Sequence, residues 1–363
     1  MIDAQALQQQ IKNGEPLHEE NLSHLDIADM DLAGAVFYRC NLRGSKLKSV
    51  DLRDSRFLEC DLQDMQWQDV CLDECAWHEC VLDHSSFSLK EKALELVFSD
   101  CSAVGVQLSG TMLEDVSSHR TDWTDSTWKS LHLNTVIFVN CAFGQASFER
   151  SELDRCVFSE AQLSQVNFVD TRWKGVVCHE SSLAGQDFSG FSFDTCSFVE
   201  CDLQDLNLAR AQLQLCNFQG ANLHRAVLEG ANAKRNIFAD ASLPNARLRG
   251  ADFEQCMWVE TDLSDADAGR ANFTQCVLER STCKNANFSG SDLTYADFSY
   301  ADVQGADLRD CTFFRTKFHR AVTEGTHWNN RVGILENDPE LFEAELWSAA
   351  RPTAVAAGPE SAA

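Results

Sequence analysis

The sequence has no apolar run long enough to cross a membrane and no signal-peptide pattern at its start. Residues 1–5 lack a basic stretch followed by an apolar one. We therefore predict a cytoplasmic protein. Signal-free export by a dedicated machine is an open alternative.

The sequence also lacks the short motifs of common catalytic and cofactor sites, since it contains no HExxH, P-loop, GxGxxG or GxSxG pattern. His179 and Glu180 form a lone pair among scattered histidines. The spacing of Cys71, Cys75 and Cys80 differs from the CxxC of zinc sites. Asp and Glu occur on all faces at repeat spacing, which is more typical of a solvated surface than of an acid–base couple. We predict no enzymatic activity, no cofactor and no metal.

Positive charge is scarce as well. The chain has 30 Lys and Arg residues against 56 Asp and Glu residues, so its net charge is −26 at pH 7. A balance of this sign disfavours nucleic acid as a direct ligand.

Apolar residues do not recur at the periods of a helix (3.6 residues) or a strand (2 residues). They recur instead at every fifth residue. From Phe98 to Phe318, every fifth residue is uncharged and most are Leu, Phe or Trp, without an inserted or deleted residue. We call this the central position. A second uncharged series, mostly small, lies two residues before it. An earlier run from Leu22 to Phe87 has the same pattern.

This period predicts a square coil in which each unit of five residues forms one side and the central side chain points inward. Turns of 20 residues would then stack at the strand spacing of about 4.8 Å. Like residues do recur at that interval, in two series: Leu163, Leu183, Leu203, Leu223, Leu243 and Leu263; and Phe198, Phe218, Phe238, Trp258, Leu278, Phe298 and Phe318.

Four tracts, Ala221–Leu223, Ala251–Phe253, Ala296–Phe298 and Ala306–Leu308, resemble the A(D/N)LXX pattern of the pentapeptide-repeat family. The resemblance covers most of the chain and implies an all-β fold, a right-handed quadrilateral β-helix. The family includes DNA-mimicking proteins that bind type II topoisomerases. The lead-in Gly14–Leu17 is also similar to long pentapeptide-repeat proteins that accompany bacterial type VI secretion effectors as adaptors.

The acidic charge permits DNA mimicry without demanding it. A rod of about 15 turns would be about 70 Å long. Its charge would be about one per 4 Å, against one per ~1.7 Å of duplex DNA. Acidity also keeps a long rod soluble.

The cysteines follow the repeat. All but three of the 16 lie at the small position before the centre; Cys178 and Cys283 are central, and Cys71 lies elsewhere. Free Cys behaves as a small buried apolar residue. Stacked residues such as Cys40 and Cys60 would come within disulfide range. We expect free thiols because the cytosol is reducing.

The repeat is interrupted once and flanked by two predicted helices. Between Phe87 and Phe98 the register slips by one residue. Asp3 is the predicted N-cap of a helix over residues 3–13, and Asp338 that of a helix over residues 338–350. The resulting segments are a capping helix with its lead-in (1–21), a first coil segment (22–87), an extruded loop or helical turn (88–97), a second coil segment (98–322) and a C-terminal helix with a disordered tail (323–363).

Two sets of residues are candidates for partner binding. An exposed interruption of a rigid scaffold is a natural contact site, although a neutral insertion explains it equally. The C-terminal helix either caps the rod or joins two copies into a homodimer. The candidates are Lys90, Glu91, Lys92 and Glu95 in the interruption, and Leu341, Phe342, Leu346 and Trp347 on the helix.

These features predict a non-enzymatic interaction scaffold, and the resemblance of the lead-in implies that it acts as adaptor or chaperone for a secreted bacterial effector. Its partner would be the effector or a spike component of the secretion machine. The alternative is a DNA-mimicking modulator of a type II topoisomerase such as gyrase. Neither hypothesis involves direct binding to nucleic acid or to a membrane.

Overall fold

The computed structural model describes residues 4–349, and the side chains of residues 6–348. The predicted N-cap Asp3 and the predicted disordered tail lie outside the described residues. The elements, in chain order, are α1 (Ala4–Lys12), β1 (Leu17–His18), β2 (Asp26–Ala28), β3 (Val36–Tyr38), β4 (Lys46–Lys48), β5 (Arg56–Leu58), β6 (Gln66–Gln68), β7 (Ala76–His78), β8 (Ser86–Ser88), β9 (Ala93–Leu94), β10 (Val97–Ser99), β11 (Gln107–Ser109), β12 (Met112–Glu114), β13 (Ser117–His119), β14 (Thr127–Lys129), β15 (His132–Asn134), β16 (Ile137–Val139), β17 (Ser147–Glu149), β18 (Glu152–Asp154), β19 (Val157–Ser159), β20 (Asn167–Val169), β21 (Arg172–Lys174), β22 (Val177–His179), β23 (Ser192–Asp194), β24 (Gln212–Gln214), β25 (Thr316–Lys317), β26 (Ile334–Leu335) and α2 (Pro339–Ala349).

The strands build a parallel coil of about 16 turns with four faces. Face 1 contains β1, β3, β5, β7, β10, β13, β16, β19 and β22, in that order. Face 2 is held by isolated parallel bridges such as Asn21↔Asn41 and Asp202↔Asn222. Face 3 contains β2, β4, β6, β8, β11, β14, β17 and β20, and face 4 contains β9, β12, β15, β18, β21, β23 and β24. The predicted four-sided coil is confirmed.

The central residues stack in columns inside the coil. On face 1, the ring centroids of Phe198 and Phe218 are 5.2 Å apart, and those of Phe218 and Phe238 are 5.0 Å apart. The column continues to Trp258, whose ring lies 4.1 Å from that of Phe238. All four side chains are buried. Because burying one Phe side chain contributes about 1.5–3 kcal/mol, these columns are the main source of stability.

Where the small position before a centre holds Ser, Thr or Cys, its side chain forms a hydrogen bond at the corner. Its hydroxyl or thiol donates to the carbonyl of the central residue 23 positions earlier. Ser45 Oγ lies 2.7 Å from Leu22 O, and Cys276 Sγ lies 2.9 Å from Phe253 O. The corner therefore accommodates Ser, Thr and Cys because their polar atom finds an acceptor there, and Ala fills many of the same positions without one. Gln186 reaches Leu163 O (2.7 Å) from the same position through Nε2.

All 16 cysteines are free thiols, and Cys71 is the exposed one. Burial raises the pKa of the Cys75 and Cys156 thiols to about 12. At neutral pH these groups are therefore protonated donors at the corners and are poor nucleophiles.

The segment 88–97 differs from our prediction of an extruded loop or helical turn. Ala93 takes the central position, and β9 pairs with β12 through Leu113↔Ala93. Leu89 and Leu96 are buried. The prediction is wrong because one corner absorbs the additional residue: only residues 90–92 project, and Phe98 pairs with Trp77 at an interval of 21 instead of 20 residues.

Helix α1 closes the first turn, since Leu7 and Ile11 are buried in the common core. At the other end, the coil continues past residue 322, where we had placed its limit. Bridges reach Val322 and His327. The Trp328 ring lies 5.4 Å from that of Phe318, so this side chain fills a further inward position.

The columns predict the effect of shortening one aromatic residue in the middle of the coil. Phe218→Ala should lower the free energy of unfolding by about 3–5 kcal/mol, because it removes buried surface and leaves a cavity between two stacked rings. Urea unfolding followed by tryptophan fluorescence measures the change. The adjacent exposed variant Gln219→Ala should stay within about 0.5 kcal/mol of the parent. Equal midpoints for the two variants would refute the inward column.

Candidate functional site

The first candidate set lies at the corner between faces 3 and 4. Lys90, Glu91 and Lys92 are consecutive exposed residues. Lys92 Nζ lies 3.9 Å from a Glu114 carboxylate oxygen, which links the projection weakly to the next turn. Glu95 is also exposed, but it occupies the left-handed corner position, with φ of 54°, that recurs throughout the coil. The projection is therefore three residues long.

The second candidate set lies on α2, which is docked against the last turns of the coil. Asp338 is the N-cap, as predicted, because its Oδ1 accepts a hydrogen bond of 3.0 Å from Leu341 N. The Phe342 ring faces the coil, and the Arg320 guanidinium lies 4.4 Å from its centroid. This part of α2 acts as a cap.

The docking is fixed by Glu345, which accepts hydrogen bonds from three residues of face 1. Tyr300 Oη and Arg320 Nε both donate to its carboxylate. The buried His319 contributes Nε2 at 3.3 Å, while its Nδ1 accepts from Asp338 N at 3.2 Å. This pair of contacts selects the Nε2–H tautomer of the neutral ring.

These contacts shift two acid–base equilibria. The hydrogen bond from Tyr300, followed by those from Arg320 and His319, holds the pKa of the Glu345 carboxyl below its usual value. The same contact raises the pKa of Tyr300, because the neighbouring carboxylate disfavours a phenolate. At neutral pH the cluster therefore contains a carboxylate that accepts and a phenol that donates.

Three apolar side chains of α2 are exposed to solvent. Leu341, Leu346 and Trp347 are 47%, 51% and 61% exposed. Beside them, a cleft of about 890 Å³ is lined by Tyr300, Lys317, His319, Leu335 and Leu341, among others. The structure thus divides the predicted set: Phe342 packs on the coil, and the other three side chains are about half exposed or more.

The two candidate sets are not brought together. They lie about 11 turns apart along the axis, which corresponds to about 50 Å at 4.8 Å per turn. A single partner would have to span this distance to contact both.

Sequence reasoning missed the residues that receive α2. Tyr300, His319 and Arg320 occupy ordinary outward positions of the repeat, and only the folded chain shows that Glu345 reaches them. A second group could have been predicted from the sequence. It contains His179, Glu180 and Glu200, whose ligand atoms lie within 4.8 Å of one another. The pair that we took as lone gains Glu200 because residues 20 apart are neighbours on one face.

Within residues 4–349, neither helix has the length and apolar character needed to cross a bilayer.

Solved structures with the same repeat resemble the chain at low identity. HetL, a pentapeptide repeat protein involved in heterocyst differentiation regulation from the cyanobacterium Nostoc, is 16% identical, covers 93% of this chain and 98% of its own, and has a TM-score of 0.14. A pentapeptide repeat protein from the Arabidopsis thaliana thylakoid lumen is 31% identical over 33% of this chain and 66% of its own, with a TM-score of 0.19. QnrB1, a plasmid-mediated fluoroquinolone resistance protein, is 20% identical over 56% of this chain and 94% of its own, with a TM-score of 0.20.

A search of curated proteins gave no match. The family model "Pentapeptide repeats" matches in eight copies at residues 21–64, 137–172, 216–255, 259–294 and 291–322. These segments make up just over half of the chain and follow the period of the inward columns. The chain therefore belongs to the pentapeptide repeat family.

Proposed function

We propose that the protein is a non-enzymatic scaffold for protein–protein interactions. The observation that carries this proposal is the filled interior of the coil. Apolar central residues occupy it, and corner donors such as Ser45 and Cys276 are engaged by backbone carbonyls. The variable chemistry is displayed on the outer surface of a rigid rod, which suits recognition of other macromolecules.

In its finer form, the proposal is an adaptor or chaperone for a secreted bacterial effector, with the effector or a secretion spike component as partner. Two features support it. Residues 90–92 project from an otherwise regular surface, and α2 presents apolar side chains at one end of the rod. A rod with separate contacts about 50 Å apart could hold two partners in a fixed relation.

The alternative is a DNA-mimicking modulator of a type II topoisomerase. The observation that favours it is the strongly acidic chain, with a net charge of −26, most of which belongs to the coil. Exposed carboxylates at stacking intervals of about 4.8 Å could enter a site shaped for the phosphates of DNA. The lower charge density of the rod is the reason for ranking this function second.

We also propose that α2 serves as a cap and a dimer contact at once. Phe342 and Glu345 fix the helix to face 1, and the exposed Leu341 and Leu346 would meet a second copy. A two-fold arrangement satisfies such a self-complementary patch.

Capture of partners from the source organism tests the scaffold. The immobilised full chain should retain a discrete protein, and replacing Lys90, Glu91 and Lys92 with Ser should reduce the retained amount at least tenfold, because the projection is removed without touching the core. Quantitative mass spectrometry provides the readout. Lys46→Ser, an exposed change with the same net effect on charge, is the control. Failure to retain any protein would count against the scaffold, and unchanged retention by the triple variant would exclude the projection.

A gyrase supercoiling assay decides the alternative. If the rod mimics DNA, micromolar protein should inhibit supercoiling or relieve quinolone inhibition, and the effect should weaken with salt because it depends on exposed charge. Unchanged supercoiling and unchanged quinolone sensitivity would remove this function.

The docking of α2 should depend on pH through Glu345. Because the folded-state pKa of Glu345 lies below the usual value, its contribution is present above about pH 4.5. It is lost as the pH falls through the lowered pKa. The facing groups are Tyr300, His319 and Arg320, with the Arg280 guanidinium 5.3 Å from the Tyr300 ring. At pH 7, Glu345→Gln should therefore increase hydrogen exchange in residues 339–349.

The exposed Glu343 on the same helix provides the matched control, and Glu343→Gln should leave the exchange unchanged. Below the lowered pKa, the parent protein should exchange as fast as the Glu345→Gln variant. Equal exchange of parent and variant at pH 7 would show that the cluster does not hold the helix.

A further inference from the structure

Face 1 carries an unusual outer surface in the middle of the rod. Its outward side chains lie one residue before and one residue after each central residue. Between Val97 and Val277, these outward positions contain no Asp, Glu, Lys or Arg, and the stretch ends at Glu279 in the row of Val277. The larger apolar members are Val97, Ile137, Val157, Val177, Ile237 and Met257. We call this surface the uncharged face.

The other faces differ over the same turns. On face 4, strands β18 and β21 present Glu152, Asp154, Arg172 and Lys174 at the equivalent outward positions. The preference of strands for β-branched residues does not explain the difference, because faces 1 and 4 are built from strands of the same kind. Ile137 and Met257 are 36% and 46% exposed. Their apolar surface therefore contributes to the exterior of the rod and only partly to its core.

One border of the uncharged face is acidic. It follows the residue two positions after each centre and contains Glu160, Glu180, Glu200, Asp240 and Glu260. Among residues 4–349, these carboxylates have no ion pair with Lys or Arg; Glu180 has only His179, at 3.7 Å. From Glu160 to Glu260 the border is thus a negative row without Lys or Arg partners beside an apolar strip. Nearer the start of the face, the same row contains Arg120, which pairs with Asp100 at 2.6 Å.

We propose that the uncharged face binds an amphipathic α-helix of a partner protein, with an apolar stripe and a row of Lys or Arg along one edge. The proposal rests on the scaffold function and assigns to it a surface and a partner chemistry. The apolar stripe covers Ile137, Val177 and Ile237, and the basic row pairs with the acidic border.

The backbone excludes an added strand on this surface. Face 1 is an interior sheet, in which each turn is bonded to both neighbours. For example, Ile137 N donates to Val116 O (2.8 Å), and Asn140 N donates to Ser159 O (3.0 Å). A partner therefore contacts side chains, whereas strand addition needs a free edge.

The dimensions of the face suit a helix that lies along the rod. Nine turns from Val97 to Val277 span about 43 Å at 4.8 Å per turn, the length of a helix of about 29 residues. The helix pitch of about 5.4 Å is close to the row spacing. Two outward columns about 7 Å apart form a strip that a helix about 10 Å wide covers.

Charge and area favour such a partner over a second copy of the chain. A second copy brings the same net charge of −26. A strip of about 43 by 10 Å offers about 430 Å², roughly half of the ~800 Å² per partner in a standard interface. The apolar contact alone is therefore weak, and pairing with the acidic border has to supply the remainder, so binding depends on salt.

A synthetic probe tests the proposal on the full chain. The probe is a 29-residue helical peptide, a length of about 43 Å, with a Leu and Ala stripe flanked by Lys. Its counterpart has the same stripe and Glu in place of Lys. Fluorescence anisotropy should show that the Lys peptide binds at least tenfold more tightly than the Glu peptide, and that its affinity decreases with added NaCl.

The decisive variant combines Ile137→Ser, Ile237→Ser and Met257→Ser. Serine already occupies this column at Ser117 and Ser197, so the coil tolerates it. Affinity for the Lys peptide should decrease at least tenfold. Val169→Ser is the control, because Val169 is 50% exposed on face 3, and it should bind like the parent. Equal urea midpoints verify that all variants are folded.

Three results would overturn the proposal: no difference between the Lys and Glu peptides, undiminished binding by the triple variant, or a parent dimer that the triple variant dissociates. The last result would assign the face to a second copy. If the triple variant still captures the partner from the source organism, the scaffold function is supported, and the uncharged face is not its binding surface. If the parent captures no protein, but the Lys peptide binds the parent more tightly than the triple variant, the proposed binding surface is supported and the scaffold function is not.

Discussion

The constraint on which the structure depends is that the backbone of each side must bond to the turn below and the turn above. Asn222 N donates to Cys201 O (2.9 Å), whereas Leu223 N donates to Ser242 O (2.7 Å). Consecutive residues thus bond in opposite directions along the axis. Because both bonds must form on every side, the interval of 20 residues per turn is kept along most of the coil, and a turn of 21 residues occurs where a corner projects at residues 90–92.

Most of the fold could be predicted from the sequence, because inward positions tolerate few residue types. Phe198, Phe218 and Phe238 revealed their column through spacing alone. The interruption could not be read in the same way, since the composition of residues 88–97 suits a helix and the packing of Ala93 and Leu96 decides otherwise. Tertiary pairing overrode local preference there. The coil limit was misplaced for a different reason. Trp328 keeps the period of five and His327 pairs with Asp307 at the interval of 20, but the polar Thr323 occupies the intervening central position and obscured the pattern.

The candidate sites were less predictable, because outward positions carry no periodic constraint. Lys90 and Leu341 were found as breaks in a pattern, and they are exposed at the surface. The coil residues that hold α2, by contrast, keep the period of five and gave no such signal. Glu345 and His319 are 26 residues apart, and their contact depends on how the last turn meets the helix. Only a three-dimensional arrangement can show it.

The exposed edge of the β-coil is covered in a different way at each end of the rod. At the start, α1 places Leu7 and Ile11 over the first turn, and the central residue Leu22 is 1% exposed. At the C-terminal end, the chain packs closely over its own last turn at Gly333. A Cβ atom added to Gly333 would lie only 2.1 Å from the carbonyl oxygen of Phe313. Because only glycine permits that approach, with φ of +92°, this segment occupies an edge that a further strand would otherwise use. At this end, the described residues therefore finish with the short strand β26 on the last turn and with α2 docked through Glu345.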